Sequence, residues 1–349
     1  MLLRAEADLA RGDAAAALEG FERVAATGHA VEIELGLVRA YMQTGQYRRA
    51  LGFAAHVAGE HPDVSAATVL YAWLLRAGGQ VDVSSRVLAA ALERSPDDAV
   101  ARAAAAAFAS AVPAAIDALL VAPHRMAPVA VLAPGQPAVS PQAQVVASGV
   151  LVDGGRRALV PASSLTARAT RLWVRNGLGQ TSEAEVEAPG SSATTGEALV
   201  LRLRLPIVVV DVAVADREPF AGSPGFAFEY PAAASPMPAW PQLRQGFLGT
   251  TQAEGGRRRL GFDVLHPGGP VLDAQGQLAG MVLADSEGQA LMLPVSRWPR
   301  LAGSDLAATS GAPAASSTPA ATQRPARPIA ADAAYERAMA IALQVIALP

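Results

Sequence analysis

The sequence predicts a multi-domain α + β protein in which helical hairpins precede a domain of short β-strands. Its 349 residues exceed the size of one average domain. Up to about residue 112 the chain is rich in Ala and repeats its landmarks at a fixed period, as stacked helical hairpins do. Beyond Pro123 the apolar segments become short and are separated by Gly, Pro and Ser, which indicates an all-β barrel or sandwich.

The helical part is organised around residues that end helices or let them approach closely. Three pairs of such residues stand 34 positions apart: Gly45 and Gly79, Val57 and Ala91, and Pro62 and Pro96. Gly tolerates the left-handed conformation that follows a helix, and Pro cannot continue one. Because each hairpin has too little core of its own, we expect the hairpins to stack. An Ala-rich bundle without a common register is the alternative.

The stretch 31–62 resembles a tetratricopeptide repeat, a helical hairpin with a period of 34 residues. The resemblance rests on Tyr41, Gly45-Gln46-Tyr47, Ala50 and Pro62. A second copy covers 65–96, an earlier one is in step at Gly12-Asp13, and 97–110 adds a further helix. We therefore assign residues 1–122 to a tetratricopeptide-repeat helical domain.

Tetratricopeptide stacks present a concave groove that is lined by the first helix of each hairpin. The resemblance places five candidate groove residues in two copies: Glu32, Arg39, Gln43, Trp73 and Arg76. Two guanidinium groups on neighbouring hairpins could hold a peptide carboxylate, and Trp73 would add an apolar anchor. The arginines could instead only solvate the inner face, and Trp73 could belong to the core. The expectation is a protein or peptide partner bound by the helices.

The β part contains eleven short apolar segments between turn-forming residues. They are 127–133, 143–152, 157–160, 171–175, 197–203, 225–230, 246–250, 260–263, 270–273, 278–284 and 290–294. The stretch 219–241 is crowded with Pro, Gly and Ala and is expected to be mostly loop.

Two passages of the β part carry a more specific resemblance. The first is Ala147-Ser148-Gly149-Val150-Leu151-Val152-Asp153-Gly154, followed by Ala158-Leu159-Val160-Pro161-Ala162-Ser163-Ser164-Leu165. The second runs from Leu265-His266-Pro267-Gly268-Gly269-Pro270 through Asp273-Ala274-Gln275-Gly276 to Gly280. Over roughly residues 125–300 the chain resembles trypsin-like serine proteases, particularly the bacterial HtrA/DegP type. The resemblance implies a chymotrypsin/trypsin-like double β-barrel, which we place at 123–303.

The resemblance also implies where a catalytic triad would lie. The family's His falls on Ser163, its Asp on Glu197 and its nucleophilic Ser on Pro267. Proline has neither a hydroxyl to attack a carbonyl nor an N–H to donate to an oxyanion, and serine is no base near neutral pH. Leu265 also stands where the family has Gly. The sequence therefore predicts a pseudoprotease with no catalytic residues.

Two other groups in the β part could carry chemistry. His266 lies beside the lost nucleophile, but a residue next to a turn position normally points away from it, which favours a packed or solvated loop histidine. The run Arg257-Arg258-Arg259 could bind an anion or form a solvated hairpin tip. A hydrolase with a relocated triad would need His124 or His266.

The C-terminal region divides into two parts. Residues 304–330 are mostly Ala, Ser, Thr, Pro and Gly and are predicted to be a disordered linker. Residues 331–349 regain helical spacing, with five residues on one face: Tyr335, Met339, Ala342, Val345 and Ile346. An amphipathic helix this short is marginal alone, so we expect it to dock, preferably on the helical stack of its own chain.

Composition excludes several other classes. With 28 basic and 31 acidic residues, the chain lacks the positive footprint that nucleic acid or an acidic membrane surface requires. It has no cysteine and no HExxH motif, so we expect no disulfide, metal or other cofactor. No apolar run is long enough to predict a membrane span. A chain starting at Met1 has no export signal, which predicts the cytoplasm, whereas an upstream start could add a signal peptide and a periplasmic location.

The sequence favours a non-catalytic binding protein, in which a tetratricopeptide scaffold is joined to an inactive trypsin-like domain. The alternative is a trypsin-like endopeptidase with a relocated or unrecognised triad. A third hypothesis is a structural adaptor whose β half only supports assembly, and the sequence does not separate it from the first.

Overall fold

The computed structural model of the chain describes most of both predicted parts. The described residues are 1–109, 127–132, 134–165, 171–187, 197–208, 212–252, 256–285, 287–298 and 327–348. The predicted domain boundaries at 122/123 and 303/304 lie outside these ranges, as do residues 304–326 of the predicted linker.

Seven helices form the N-terminal stack in the described residues. They are α1 (Leu2–Ala10), α2 (Ala14–Ala25), α3 (Val31–Gln43), α4 (Tyr47–Glu60), α5 (Ser65–Ala77), α6 (Val81–Arg94) and α7 (Ala99–Ala109). Each of the first six packs against the helix that follows it. Helix α5 also contacts α7. The contacts use small residues such as Ala17, Ala50 and Ala72, which are fully buried and allow close approach. No helix within the described ranges is long and apolar enough to cross a membrane.

The turns after α1, α3 and α5 are built alike. Their glycines, Gly12, Gly45 and Gly79, have φ values of +85°, +78° and +79°. In each turn the following N–H donates to the carbonyl five residues earlier: Asp13 to Asp8 (2.9 Å), Gln46 to Tyr41 (2.8 Å) and Gln80 to Leu75 (2.8 Å). Because glycine adopts this left-handed end without steric cost, it recurs at these positions. The tetratricopeptide identity of the hairpins stays a prediction.

Thirteen strands follow in the described residues. They are β1 (Val131–Leu132), β2 (Gln144–Val152), β3 (Arg157–Pro161), β4 (Arg171–Asn176), β5 (Gln180–Val186), β6 (Ala198–Leu203), β7 (Pro224–Glu229), β8 (Gln242–Thr251), β9 (Arg258–Leu260), β10 (Pro270–Asp273), β11 (Leu278–Ala284), β12 (Ala290–Pro294) and β13 (Ala342–Leu348).

The strands form two closed six-stranded antiparallel barrels. Barrel 1 has the order β13-β2-β3-β6-β5-β4, and the short β1 adds to it by pairing in parallel with β5. Barrel 2 has the order β7-β8-β9-β12-β11-β10. The predicted fold class, helical hairpins followed by a trypsin-like double barrel, is confirmed by this strand arrangement.

Strand β5 lies outside the predicted strands because its sequence, QTSEAEV, is mostly polar. In the structure Thr181 and Ser182 are nevertheless buried. The Thr181 hydroxyl accepts a hydrogen bond from the Arg175 Nε (2.9 Å), and the Ser182 hydroxyl donates to the Leu205 carbonyl (2.8 Å). Since both hydroxyls have partners, a polar sequence is compatible with a barrel strand.

The prediction of a C-terminal helix is wrong beyond Ile341. Helix α8 covers Ala331–Ile341, and the chain then continues as β13 between β2 and β4. Leu343 and Val345 lie in the main core, whereas Ile346 packs with Trp173 on the opposite side. Because both faces are buried, the strand lacks the alternation of polar and apolar residues that marks a half-exposed strand. Strand pairing overrides the helix-favouring composition.

Residues 327–348, which we call the C-terminal segment, contact the helical stack and both barrels. The expected contact with the helical stack is present, because α8 packs on α4 and Glu336 accepts hydrogen bonds from the Arg48 backbone (2.9 Å) and side chain (2.8 Å). Tyr335 is fully buried between Tyr47 of α4 and Phe228 of barrel 2, with ring centroids 4.2 and 6.2 Å away.

The glycine turns of the helical stack lie against the barrels. A Cβ added at Gly12 would stand 2.9 Å from Val131, one at Gly45 would stand 3.2 Å from Leu178, and one at Gly79 would stand 3.2 Å from the Leu243 carbonyl. Between the first two contacts, the Gln43 amide donates to the Leu178 carbonyl (3.0 Å) and accepts from the Val129 N–H (2.8 Å). The same glycines therefore end the helices and seat the stack on the β part.

We predict that Tyr335→Ala lowers the free energy of unfolding by about 3–5 kcal/mol, because a large side chain buried against three elements is removed. Tyr335→Phe loses only the hydrogen bond to the Pro241 carbonyl (2.7 Å) and should cost about 1 kcal/mol. Urea unfolding measures both, with Phe220→Ala as control, since the Phe220 side chain is 71% exposed. A loss below about 1 kcal/mol for Tyr335→Ala would contradict the central position of this side chain.

Candidate functional site

Two of the three predicted triad positions are held together by the pairing of β3 with β6. Ser163 is exposed and lies in a single helical turn, Ala162–Ser164, that directly follows β3. Glu197 directly precedes β6. The Ala162 N–H donates to the Glu197 carbonyl (3.0 Å), which continues the pairing of Pro161 with Ala198. The two positions are therefore neighbours across one barrel edge.

The third position, Pro267, reaches the same region from barrel 2. Its carbonyl accepts a hydrogen bond from the Ser148 N–H of β2 (3.3 Å). The next residue, Gly268, has a φ of +107°, and a Cβ there would lie 2.0 Å from the Ser148 carbonyl oxygen and 2.9 Å from the Pro161 side chain. Only glycine fits such an approach. The structure thus brings the three positions to the junction between the barrels.

The backbone N–H groups of residues 266–268 are all committed or missing. The His266 N–H donates to the Glu229 Oε2 (2.8 Å), and the Gly268 N–H donates to the Val282 carbonyl (2.8 Å). Pro267 has no N–H. An oxyanion hole needs backbone donors aimed at the developing charge. These three positions provide none.

Glu229 is the centre of a buried charge cluster beside this loop. Its side chain is 1% exposed and accepts a hydrogen bond from the Arg244 Nε (2.6 Å) in addition to that from His266. Burial lowers the pKa of the His266 imidazole, Arg244 lowers it further, and Glu229 opposes the shift. His266 therefore contributes its backbone to the cluster while its ring favours the neutral form.

Glu197 serves as an ion-pair partner for barrel 2. Its carboxylate contacts the Arg257 Nε and lies 3.9 Å from the Arg297 guanidinium. The side chain is 10% exposed, so the pair joins the two barrels in a largely dry environment. The run Arg257-Arg258-Arg259 was expected either to bind an anion or to form a solvated hairpin tip. Arg257 binds an anionic group of the same chain, the Glu197 carboxylate. Arg258 donates to the Gly249 carbonyl (3.2 Å).

The expected open groove of the helical stack is largely filled by the chain itself, which corrects that prediction. Gln43 is bonded to the β part as described above. Trp73 is 4% exposed and packs on Phe108 of α7, whose carbonyl accepts from Arg76 (3.0 Å). Arg39 is buried and pairs with Glu6 of α1. Of the five predicted groove residues, only Glu32 is exposed.

The described residues leave a cleft on this side of the stack. It is a cleft of about 710 Å³ between α1, α3 and the segments 127–130 and 237–240. Its walls are mainly apolar, and its polar groups come from Glu6, Arg39 and Gln43. A cleft of this volume, with a few convergent polar groups, is of the size and kind that binds a small ligand or part of a peptide. No group of side chains within the described ranges could hold a metal ion.

Comparisons with known proteins yield little. No protein-family model matches the sequence, and no curated protein matches it. Among solved structures, the chain is similar to a serine endoprotease from Yersinia pestis, with 18% sequence identity and a TM-score of 0.35. The match covers 46% of this chain and 61% of the protease, so it spans about three fifths of that protein's length. At this level the likeness carries no argument, and the fold assignment rests on the order of the strands.

The residues that sequence reasoning missed are Glu229 and Arg244. They stand 15 positions apart in the sequence and lie near the same end of the β7–β8 pairing, where Glu229 is opposite Gln242 and Arg244 is opposite Ala227. The signal that could have found them is the strand pairing itself, which places two opposite charges near each other.

We predict that Arg244→Leu lowers the free energy of unfolding by about 2–3 kcal/mol, because it leaves the Glu229 carboxylate buried without its cation. Combining it with Glu229→Gln should recover most of the loss. Arg23→Leu breaks an exposed pair with Glu19 and serves as control, with an expected change below about 0.5 kcal/mol. Urea unfolding at neutral pH decides; equal effects of Arg244→Leu and Arg23→Leu would contradict the buried cluster.

Proposed function

We propose that this chain is a non-catalytic, protein-binding adaptor in which a tetratricopeptide-like scaffold is fixed to an inactive trypsin-like barrel pair. The observation that carries the proposal is the loop 266–268, which has a proline in the nucleophile position and no free N–H group for an oxyanion. Acyl transfer in this fold needs both.

The other two positions support the same conclusion. Ser163 offers a hydroxyl where the mechanism needs an imidazole, and it is no base near neutral pH. Glu197 is engaged by Arg257 and Arg297, so its carboxylate is not available to orient a histidine. Loss of one oxyanion donor alone typically reduces turnover by about 100–1000-fold. Here the nucleophile, the base and the N–H donor of the nucleophile position are all absent from their expected positions.

The adaptor role rests on the cleft between α1, α3 and the β part. Two of the predicted groove residues, Arg39 and Gln43, line this cleft, which supports peptide binding there. Apolar walls suit aliphatic or aromatic side chains of a peptide, and the Glu6–Arg39 pair at its edge can fix the peptide's polar groups. The structural-adaptor hypothesis differs in leaving this cleft unoccupied.

We predict no peptidase activity: the purified protein should neither hydrolyse casein nor react with a fluorophosphonate probe. Pro267→Ser should stay inactive, because it restores a hydroxyl without a base and triad members act as a unit. The triple variant Ser163→His, Glu197→Asp and Pro267→Ser is the positive comparison. Probe labelling of the unmodified protein that disappears with His266→Ala would instead support the alternative, an endopeptidase with a relocated triad.

We predict that peptides bind in the cleft and that Ala10→Trp, which fills it, abolishes their binding. Ala10 is exposed and lines the cleft, so the substitution should not disturb the core. Ala15→Trp is the matched control, because Ala15 is also exposed and lies outside the cleft. A random peptide library is screened against all three proteins. Peptides that bind all three equally, or a failure of every peptide to bind, would contradict the adaptor proposal.

A further inference from the structure

Barrel 1 is closed by the last strand of the chain. Beginning with the first strand of barrel 2, the order around that barrel is β7-β8-β9-β12-β11-β10. The order around barrel 1 is β13-β2-β3-β6-β5-β4. The two orders are the same if β13 takes the first position. The place that barrel 2 fills with its own first strand is therefore filled in barrel 1 by a strand that follows barrel 2.

Strand β13 occupies a slot with two pairing edges. On one side it pairs with β2, from Ala342 opposite Val150 to Ala347 opposite Gln144. On the other side it pairs with β4 up to Leu348. Without β13, both β2 and β4 would present unpaired backbone groups, and such edges are templates for any strand of suitable sequence. The slot is thus a binding site for an extended peptide, and residues 342–348 are its ligand.

The rest of the C-terminal segment is also recognised by specific contacts. The Ile329 N–H donates to the Ala274 carbonyl (2.8 Å), and Arg337 donates to the carbonyls of Gln275 (2.8 Å) and Gly276 (2.9 Å). These contacts, with those of Tyr335 and Glu336, join residues 327–348 to parts of the chain before residue 299. All of these contacts lie within the described residues on either side of 299–326, so the segment of another chain could make the same contacts.

We propose that the slot between β2 and β4 accepts the C-terminal segment of a second copy, so that two copies assemble by reciprocal exchange of residues 327–348. We call the part of each chain that precedes the connection its body. Each body makes the same contacts with the segment in the exchanged and unexchanged states, so the length and stiffness of the connection decide which state is favoured. The Ala-, Ser- and Pro-rich composition of the connecting residues predicts a linker, and a linker of this length would hold its own segment at a concentration in the millimolar range. We therefore expect monomers at low concentration and a closed, symmetric dimer that forms a minority of about a tenth of the chains near 0.1 mM and increases above it. This inference is independent of whether the barrels are catalytic.

The exchange is tested with two tagged versions of the full chain produced in the same cells. One carries a first N-terminal affinity tag. The other carries a second tag and Arg327→Lys, a mass mark at an exposed residue. Both contain a protease site inserted after Ala315. The two proteins are purified together without use of the tags, concentrated to about 0.1 mM, cleaved at the site, and then captured by the first tag. Mass spectrometry then identifies the C-terminal segments that remain bound to the first body.

Exchange predicts that about a tenth of the first bodies carry the mass-marked segment and are free of the second body. If two copies associate only through their surfaces, the marked segment is captured only together with the second body. If the chains are unexchanged monomers, the captured first bodies carry only the unmarked segment. Either of these two results overturns the proposal. Release of the segments upon cleavage would overturn it as well, because it would show that the contacts do not hold the segment without its connection.

A second measurement uses the absence of cysteine from the chain. Gln144→Cys and Ala347→Cys introduce thiols at directly opposite positions of β2 and β13. Opposite residues of antiparallel strands have Cα separations of about 4.5–5.5 Å, within the range of a disulfide. An exchanged dimer then becomes covalent on a non-reducing gel, whereas an unexchanged chain stays a monomer. The covalent dimer should increase with protein concentration and exceed the background of Gln144→Cys alone; a dimer fraction equal to that background contradicts the exchange.

Discussion

The closure of barrel 1 by β13 is the constraint on which the other contacts of this molecule depend. An antiparallel barrel has no unpaired edge only when its last strand is in place. Because β13 follows barrel 2 in the sequence, barrel 1 can close only after the residues of barrel 2 and of the connection to residue 327 have been synthesised. The helix that leads into β13 then carries Tyr335 to the point where α4, barrel 1 and barrel 2 meet. The same segment therefore closes the barrel and fixes the helical stack.

The attachment of the stack to the β part changes what the helices can do. Repeats of this kind are expected to offer a concave groove, and the groove residues could be placed from the sequence. The sequence does not show that Gln43 would bond to residues 129 and 178, or that Trp73 would be covered by α7. These contacts join positions as much as 135 residues apart, and no local pattern reports such a distance. The turn glycines were predictable as helix ends, whereas their contact with the barrels was not.

The strands, like the helices, could be predicted where the local sequence decides the structure and not where contacts with other elements decide it. Segments such as 270–273 and 278–284 were recognisable because they are apolar and bounded by turns, and they are strands over those ranges. Strand β5 was hidden by polar residues whose partners lie on β4 and after β6. Strand β13 was hidden by burial of both faces, which removes the period of two and leaves a composition that suits a helix. In both cases the deciding interactions are hydrogen bonds and packing with residues of other elements, which the sequence of the strand itself does not show.

At the junction between the barrels, residues at and beside the expected triad positions join the two barrels through an ion pair and a backbone hydrogen bond. A catalytic carboxylate has to orient an imidazole, and a catalytic loop has to keep its N–H groups free. Glu197 instead pairs with Arg257 across the junction, and the His266 N–H is held by the buried Glu229. Each of these contacts satisfies a charge or a donor that would be costly to bury alone. The contacts that stabilise the junction thus engage the carboxylate at the expected Asp position, which agrees with the proposed non-catalytic function.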